Sequence, residues 1–266
     1  MDVKLSRIEE IEKDVSCMNQ QQAEIGESLV MIDNEVWNLR ESIKKTQMCP
    51  PLKPLPHGKY KMRIEAMMPT DNSDLKFTES ILNLFDVCME LSNRLFEVMA
   101  RGLQLEDPLL FVNAHKGIKG PDNTTTLRTL YYPPISQDIE LKPNQIRCGE
   151  HSDYGSMTLL FQDDIGGLEI QCLDGSFIDA TPIDGSIIVN IGDLMQRWTS
   201  DKLVSAVHKV GIPKSIKKRE SSRQSIAFFN VPDNFSVVMC VDGSDKYPAI
   251  RPDDYLKHKF YETFKI

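Results

Sequence analysis

The residues best equipped for chemistry stand at His151-Ser152-Asp153. In a strand-like segment, residues two apart project to the same side, so this imidazole and this carboxylate can both point inward. His208, in Val207-His208-Lys209-Val210 on a later strand-like segment, can supply a third ligand. Two imidazoles and a carboxylate occupy one face of an octahedral divalent metal, Fe(II) foremost, and leave three adjacent positions for a small molecule and O2. A lone His-x-Asp arises by chance in many chains, so the pattern needs support from elsewhere in the sequence.

That support comes downstream, where Arg223-Gln224-Ser225 opens the apolar strand Ile226-Ala227-Phe228-Phe229. Arg223 and Ser225 share one side of it, and a guanidinium fork beside a hydroxyl binds a carboxylate through bidentate, charge-assisted bonds. An inward arginine in an apolar strand is costly unless it meets an anion. The anion can be a ligand or an internal Asp or Glu, and the motif alone leaves both open. A third segment, Leu127-Arg128-Thr129-Leu130-Tyr131-Tyr132-Pro133-Pro134, reads as a strand ending at a Pro-Pro stop. Tyr131 and Tyr132 face opposite sides, so one phenol can reach the interior or simply pack at the strand end.

The elements that must position these groups follow from the pattern after Pro121. Short segments rich in β-formers lie at 124–132, 157–162, 168–173, 176–180, 186–191, 204–210, 223–229 and 235–240, with turn signals such as Asp174-Gly175 and Asp184-Gly185 between them. This spacing predicts an all-β sandwich or barrel. Helical periodicity over 74–101 places Ile81, Leu84, Phe85, Cys88, Leu91, Leu95 and Val98 on one face, with Asp74 capping its start and Gly102 ending it. A last helix is expected over 252–264. The fold class is mainly β: a barrel or jelly roll over 121–245, with helical support over 74–120.

The first 45 residues have a different texture. Ile8, Ile11, Val15, Met18, Gln22, Ile25, Leu29, Ile32, Val36, Leu39 and Ile43 alternate spacings of three and four. A 3.5-residue period keeps one apolar seam facing a partner helix, which predicts a coiled-coil-like segment over 1–48 and a homo-oligomer held through residues 1–45. An amphipathic helix lying on its own domain is the alternative. Cys49-Pro50-Pro51-Leu52-Lys53-Pro54-Leu55-Pro56 then cuts the helix, and 49–73 reads as a Pro-rich linker. The domain with the chemistry is therefore 74–266.

Taken together, His151-Ser152-Asp153, His208 and Arg223-Gln224-Ser225 resemble the H-x-D…H…R-x-S pattern of Fe(II)/2-oxoglutarate-dependent oxygenases. The subgroup resembled is that of isopenicillin N synthase and the plant-type soluble dioxygenases. The strings LRTLYYPP, EHSDYGSMTLLFQDDIGGLEI, GSIIVNIGDLMQRWTSDKLVSAVHKV and RQSIAFFNVPD are similar to that family's, in the same order, from about residue 75 to the end. The resemblance implies a double-stranded β-helix, with His151, Asp153 and His208 as iron ligands. It gives Arg223 and Ser225 to the distal carboxylate of 2-oxoglutarate and Tyr132 to a hydrogen bond nearby. It implies Fe(II), 2-oxoglutarate and O2 as cofactor and co-substrates, ascorbate as an optional reductant, and a small organic molecule as substrate. Gly155 and Gly192 fall in turns of the matched strings and take backbone roles. Two departures stand out. Leu130 occupies a position where many plant members carry Asn, and the coiled-coil-like segment with its linker replaces the usual N-terminal strand and helices.

Composition narrows the rest. With 41% hydrophobic and 26% charged residues the chain can build a substantial core. A net charge of -8 argues against a grip on nucleic acid or anionic lipid. The start, Met1-Asp2-Val3-Lys4, lacks the apolar core of a secretory signal, and no run suits a membrane span. Six dispersed cysteines without a C-x-x-C pair read as free thiols in a reducing, cytoplasmic setting. Three functional readings result: a 2-oxoglutarate-coupled oxygenase, an isopenicillin N synthase-type oxidase in which Arg223 and Ser225 hold the substrate's own carboxylate, or an inactive, shortened scaffold that oligomerises.

Overall fold

The computed structural model describes residues 75–264 with the exception of 173. The coiled-coil-like segment 1–48, the linker 49–73, Asp74, Cys17 and Cys49 lie outside the described residues. Those described fall into two compact units, one holding the chain up to Leu91 and one beginning at Ser92.

The first helix, α1, runs Leu75–Gly102, and a single short helix, α2 (Leu110–Asn113), separates it from the β region. Ile81, Leu84, Phe85, Cys88 and Leu91 of α1 are buried as their spacing requires. Beyond Leu91 the buried stripe follows Ser92, Phe96 and Ala100, while Val98 of the expected face is 42% exposed. Phe96 is turned inward because it stacks on His115, with ring centroids 4.2 Å apart. The helix closes just beyond the expected Gly102. Gln104, with φ of 56°, takes the left-handed position, and Leu105 N–H reaches back to the Ala100 carbonyl at 3.0 Å. That 6→1 bond is the Schellman closure normally served by glycine.

Eight strands follow: β1 Thr126–Tyr132, β2 Cys148–His151, β3 Met157–Gln162, β4 Leu168–Gln171, β5 Phe177–Asp179, β6 Ile188–Ile191, β7 His208–Val210 and β8 Arg223–Asn230. They form two four-stranded sheets, β1-β8-β3-β6 and β2-β7-β4-β5, antiparallel at every pairing. Eight strands split between two sheets in this interleaved order make the jelly roll that the sequence predicts. Three short elements complete it: α3 Asp193–Trp198, α4 Ile216–Arg219 and α5 Pro252–Phe264, the last at its expected bounds. Among the described residues no helix is long and apolar enough to cross a membrane.

Two strand expectations are corrected. Segment 235–240 alternates as a strand should, with Phe235, Val237 and Met239 more than half exposed and Val238 and Cys240 buried. It nevertheless makes only an isolated bridge, Val238 to Ile250, because no neighbouring strand offers a ladder. Segment 204–210 narrows to His208–Val210. Conversely Cys148–His151 is a strand without β-branched residues, and its pairing with β7 gives it that form.

β8 is the spine of the larger sheet. Its register sets Leu130 opposite Ser225 and Tyr132 opposite Arg223 on one side, and Thr158 opposite Phe229 and Gln162 opposite Ser225 on the other. Alternation then gives one outward row of Phe228 and Ile226, both buried, and one inward row of Arg223, Ser225, Ala227 and Phe229. His115 fixes the start of β3: its Nδ1 donates to the Phe111 carbonyl at 2.7 Å, so Nε2 accepts from the Ser156 hydroxyl at 2.7 Å. Full burial keeps this imidazole neutral, with its pKa pulled down to about 4.

Candidate active site

His151 and His208 are cross-strand partners on β2 and β7, and a bulge in β2 lies just before His151. Their ring centroids stand 4.3 Å apart. His151 Nδ1 donates to the Gly149 carbonyl at 2.8 Å and His208 Nδ1 to the Ala206 carbonyl at 2.9 Å. A carbonyl only accepts, so each Nδ1 carries a proton, and Nε2 is the nitrogen of each ring that a metal can take once its own proton is lost.

Asp153 is placed differently from the expectation. It lies past the end of β2, where strand alternation no longer operates, and hydrogen bonds aim its carboxylate instead. Oδ2 accepts from Thr158 Oγ1 at 2.7 Å and from Asn190 Nδ2 at 2.8 Å. Oδ1 is left facing His208 Nε2 at 3.9 Å. One ligand atom from each of His151, Asp153 and His208 falls within 4.8 Å of the others. This donor set suits Fe(II): two tautomer-fixed imidazoles, one oriented carboxylate, and space on one side. Thr158 and Asn190 are themselves register partners on β3 and β6.

The loop that carries Asp153 is held by close backbone approach. A Cβ on Gly155 would collide with the Asn230 carbonyl, and one on Gly192 with the Gly155 carbonyl. Asp193 N–H donates to the Asp153 carbonyl at 2.7 Å and Gly192 N–H to the Ser156 carbonyl at 3.0 Å. Both glycines thus serve the backbone, as the matched strings imply.

Between the sheets lies a cavity of about 80 Å3. Leu160, Leu168, Ile170, Ile188 and Val210 give it apolar walls, while His151, Asp153 and His208 face it together with Arg223, Ser225 and Tyr132. Arg223 is 1% exposed. Its Nε donates to the Gly166 carbonyl at 3.0 Å, Nη1 to Ser225 Oγ at 3.1 Å and Nη2 to Gln162 Oε1 at 3.2 Å. Three of its five N–H bonds are thereby used, and one remains on each of Nη1 and Nη2, the fork that a carboxylate matches. Among the described residues no Asp or Glu lies within ion-pair distance of it, so the internal salt bridge left open by the motif is not what holds it. Burial pulls its pKa below the ordinary guanidinium range. The Tyr132 ring lies 5.3 Å from the guanidinium carbon, and burial pushes that phenol's pKa up. Tyr131 is 50% exposed on the opposite face.

Sequence reasoning missed Thr158, Asn190, Gln162 and Cys148. The signal for the first three is a polar residue on the inward face of an apolar strand, visible only once the register is known. Cys148 faces the cavity and hydrogen-bonds the His151 ring, which lifts the imidazole pKa to about 9 and lowers that of the thiol. Of the two aromatics next to the motifs, Phe229 lines the cavity, whereas Tyr154 bonds Thr263 at 2.6 Å and packs edge-on against Phe260 of α5.

A jelly roll that brings a His/Asp/His set into one cavity offers the donor arrangement of the non-haem Fe(II) facial triad. Residues 123–232 match the model of the 2OG-Fe(II) oxygenase superfamily. The 2-oxoglutarate-dependent dioxygenase htyE of Aspergillus rugulosus is 36% identical over 208 residues, covering 74% of this chain and 60% of that protein. The proline hydroxylase buaE of Petromyces alliaceus is 36% identical over 168 residues, covering 61% of this chain and 50% of its own length. Among solved structures, a full-length Neurospora crassa protein in complex with alpha-KG and thymine superposes with a TM-score of 0.64 at 35% identity, over 71% of this chain and 57% of that one. The chain spans about three-fifths of the length of the first curated relatives it matches.

Proposed function

We propose that the protein is an Fe(II)/2-oxoglutarate-dependent dioxygenase that oxidises a C–H bond of a small organic molecule. The observation that carries this reading is the two free N–H bonds of Arg223, buried in the same cavity as the His/Asp/His set and without an internal anion. The names of the relatives favour it over an oxidase that dispenses with 2-oxoglutarate. The presence of His151, Asp153, His208, Arg223 and Ser225 around one cavity favours it over the inactive-scaffold reading.

Fe(II) would be held by Nε2 of His151 and His208 and by Oδ1 of Asp153. When bound, it supplies the activation of O2 that couples 2-oxoglutarate decarboxylation, yielding succinate and CO2, to substrate oxidation. The chain's own part is geometry and dryness. The Gly149 and Ala206 carbonyls keep both imidazoles in one tautomer when the metal is bound, and Thr158 and Asn190 hold the carboxylate aimed. Arg223 and Ser225 anchor the distal carboxylate of 2-oxoglutarate, with Tyr132 stacked against the guanidinium. The apolar walls exclude water, which strengthens each of these charge-assisted bonds.

Two further proposals concern the chain as a whole. Residues 1–45 self-associate, supported by their 3.5-residue apolar period. The protein works in a reducing, cytoplasmic setting, supported by Cys88, Cys148, Cys172 and Cys240 being free thiols. The deciding experiment titrates 2-oxoglutarate into the anaerobic Fe(II) protein, follows the metal-to-ligand absorption band, then admits O2 and measures succinate. A saturable band followed by succinate release is expected. Iron-loaded protein that shows neither would overturn the reading.

A further inference from the structure

Asp193, the first residue of α3, takes no part in the His/Asp/His set, yet three separate elements meet at its carboxylate. The side chain is 13% exposed. Oδ1 accepts from the Ser205 hydroxyl at 2.7 Å, and Oδ2 from the Tyr255 hydroxyl at 3.1 Å and the Lys259 ammonium at 3.2 Å. Donors on both oxygens, one of them charged, fix the side chain in one orientation. Burial, and then the Asp193 charge, pushes the Tyr255 phenol's pKa up, which keeps that hydroxyl a donor.

From this point two routes lead to metal ligands. The first runs through the backbone. Asp193 N–H donates to the Asp153 carbonyl at 2.7 Å, and the N–H groups of Gly192 and Leu194 donate to the Ser156 and Gly155 carbonyls, each at 3.0 Å. The segment that carries Asp153 therefore lies on the start of α3 by three bonds. The second route runs through the side chain. Ser205 precedes Ala206, whose N–H donates to the Ile191 carbonyl at 3.3 Å and whose own carbonyl receives His208 Nδ1 at 2.9 Å. Ser205 N–H is held in turn by Gln196 Oε1 at 2.7 Å. The Asp193–Ser205 bond thus pins the turn that aims the His208 ring.

Behind Asp193 stands α5. Tyr255, Lys259 and Thr263 follow one another at four-residue intervals, which puts them on one face of the helix. The first two hold Asp193, and Thr263 bonds the hydroxyl of Tyr154, the residue after Asp153, at 2.6 Å. An anchor for α5 alone would need Tyr255 and Lys259 but not Ser205. The bond to Ser205 is what ties the same carboxylate to a second metal ligand.

We propose that Asp193 is a positioning residue of the metal centre: backed by α5, its N–H and its carboxylate together set where Asp153 and His208 stand relative to each other. The inference rests on the Fe(II) reading above.

The test compares the full-length parent with Asp193→Ala, Asp193→Asn and Ser205→Ala. Fe(II) affinity is read by anaerobic competition against a chromogenic chelator, and ligand arrangement by the visible ligand-field bands of the Co(II)-loaded protein. Melting of the metal-free forms reports the fold. Removing a group that orients metal ligands costs about 10–100-fold in affinity, so Asp193→Ala should weaken Fe(II) by that factor and shift the Co(II) bands. Asp193→Asn keeps an oxygen for Ser205 and should recover part of the loss. Ser205→Ala leaves every α5 contact of Asp193 in place, and should still weaken Fe(II) by about ten-fold and shift the bands. This variant decides the matter even if Asp193→Ala fails to fold. Ser205→Ala with the parent's affinity and spectrum would overturn the proposal, because Asp193 would then only anchor α5. A folded Asp193→Ala that melts lower but binds Fe(II) like the parent would overturn it too. A parent that takes up neither Fe(II) nor Co(II) would instead bring down the underlying reading.

Discussion

Thr158 and Asn190 offer the most searching test of how this site holds a metal, because neither is a ligand. Both donate to the same oxygen of Asp153, at 2.7 and 2.8 Å, and Asp153 is only 6% exposed. Thr158→Val keeps the shape and deletes one donor; Asn190→Leu does the same on the other strand. A hydrogen bond to a charged group is worth about 1.5–3 kcal/mol. Part of that loss falls equally on the metal-free protein, whose carboxylate loses the same donor. The remainder appears as poorer aim of Oδ1, for which removal of a supporting group costs about 10–100-fold in metal affinity. Each single variant should therefore weaken Fe(II) by that factor. The double variant should fall short of the product, because the two donors share one oxygen. Anaerobic competition against a chromogenic chelator gives the affinities, and melting with and without metal separates ligand aim from fold stability. Folded variants that bind Fe(II) as tightly as the parent would refute the reasoning, as would a loss of Tm that leaves the metal-dependent increment untouched.

Four other outcomes follow from the geometry. Because the Cys148 contact lifts His151 to about 9, a proton competes with the metal up to that pH. Fe(II) affinity should climb by about ten-fold per pH unit between the usual imidazole range of ~6.5 and that value, and Cys148→Ala should bring the plateau back down. Arg223→Lys keeps the charge but loses the fork, and should weaken 2-oxoglutarate by roughly ten- to a few-hundred-fold in the anaerobic absorption titration, with Ser225→Ala costing less. His115 has its pKa lowered to about 4 by burial, so between ~6.5 and that value the unfolded chain takes up a proton that the folded chain refuses. Stability should be intact above ~6.5 and decline by about 3 kcal/mol as pH falls through this window, read by urea unfolding. Deleting residues 1–48 should yield a monomer by light scattering from a parent that is oligomeric, and a monomeric parent would rule out the coiled-coil reading.

The parts of the site written in one short string were readable; those that depend on register were not. His151-Ser152-Asp153 and Arg223-Gln224-Ser225 announce their chemistry by residue type and spacing. That His151 and His208 face each other across β2 and β7 cannot be derived from their separation in sequence, because antiparallel pairing brings distant segments together at a register set by the whole sheet. Asp153 was expected inward for a reason that does not hold, since it has already left the strand. Segment 235–240 misled in the opposite direction: alternation measures which side chains are buried, and burial on one side does not supply a hydrogen-bonding neighbour. The rotation of the α1 stripe has a similar origin. Positions 91, 95 and 98 and positions 92, 96 and 100 fit helical periodicity almost equally, and the stacking of Phe96 on His115 decides between them.

β8 explains why one strand can carry so much of the function. Its inward row places a guanidinium, a hydroxyl, a methyl and an aromatic ring at two-residue intervals, in the order Arg223, Ser225, Ala227, Phe229. The guanidinium and hydroxyl at one end and the aromatic ring at the other are thus separated by a fixed run of extended backbone rather than by loops. β1 and β3 pair with it over seven and six residues respectively, so its register is set from both sides. A slip of one residue would bury Gln224 where Arg223 now points and turn Ile226 and Phe228 into the cavity, removing the anion clamp at the same moment as it exposed the core. The apolar outward row therefore protects the polar inward one. Any variant that shifts β8 should lose stability and co-substrate binding together, whereas the substitution proposed at Ser225 alters the inward row alone.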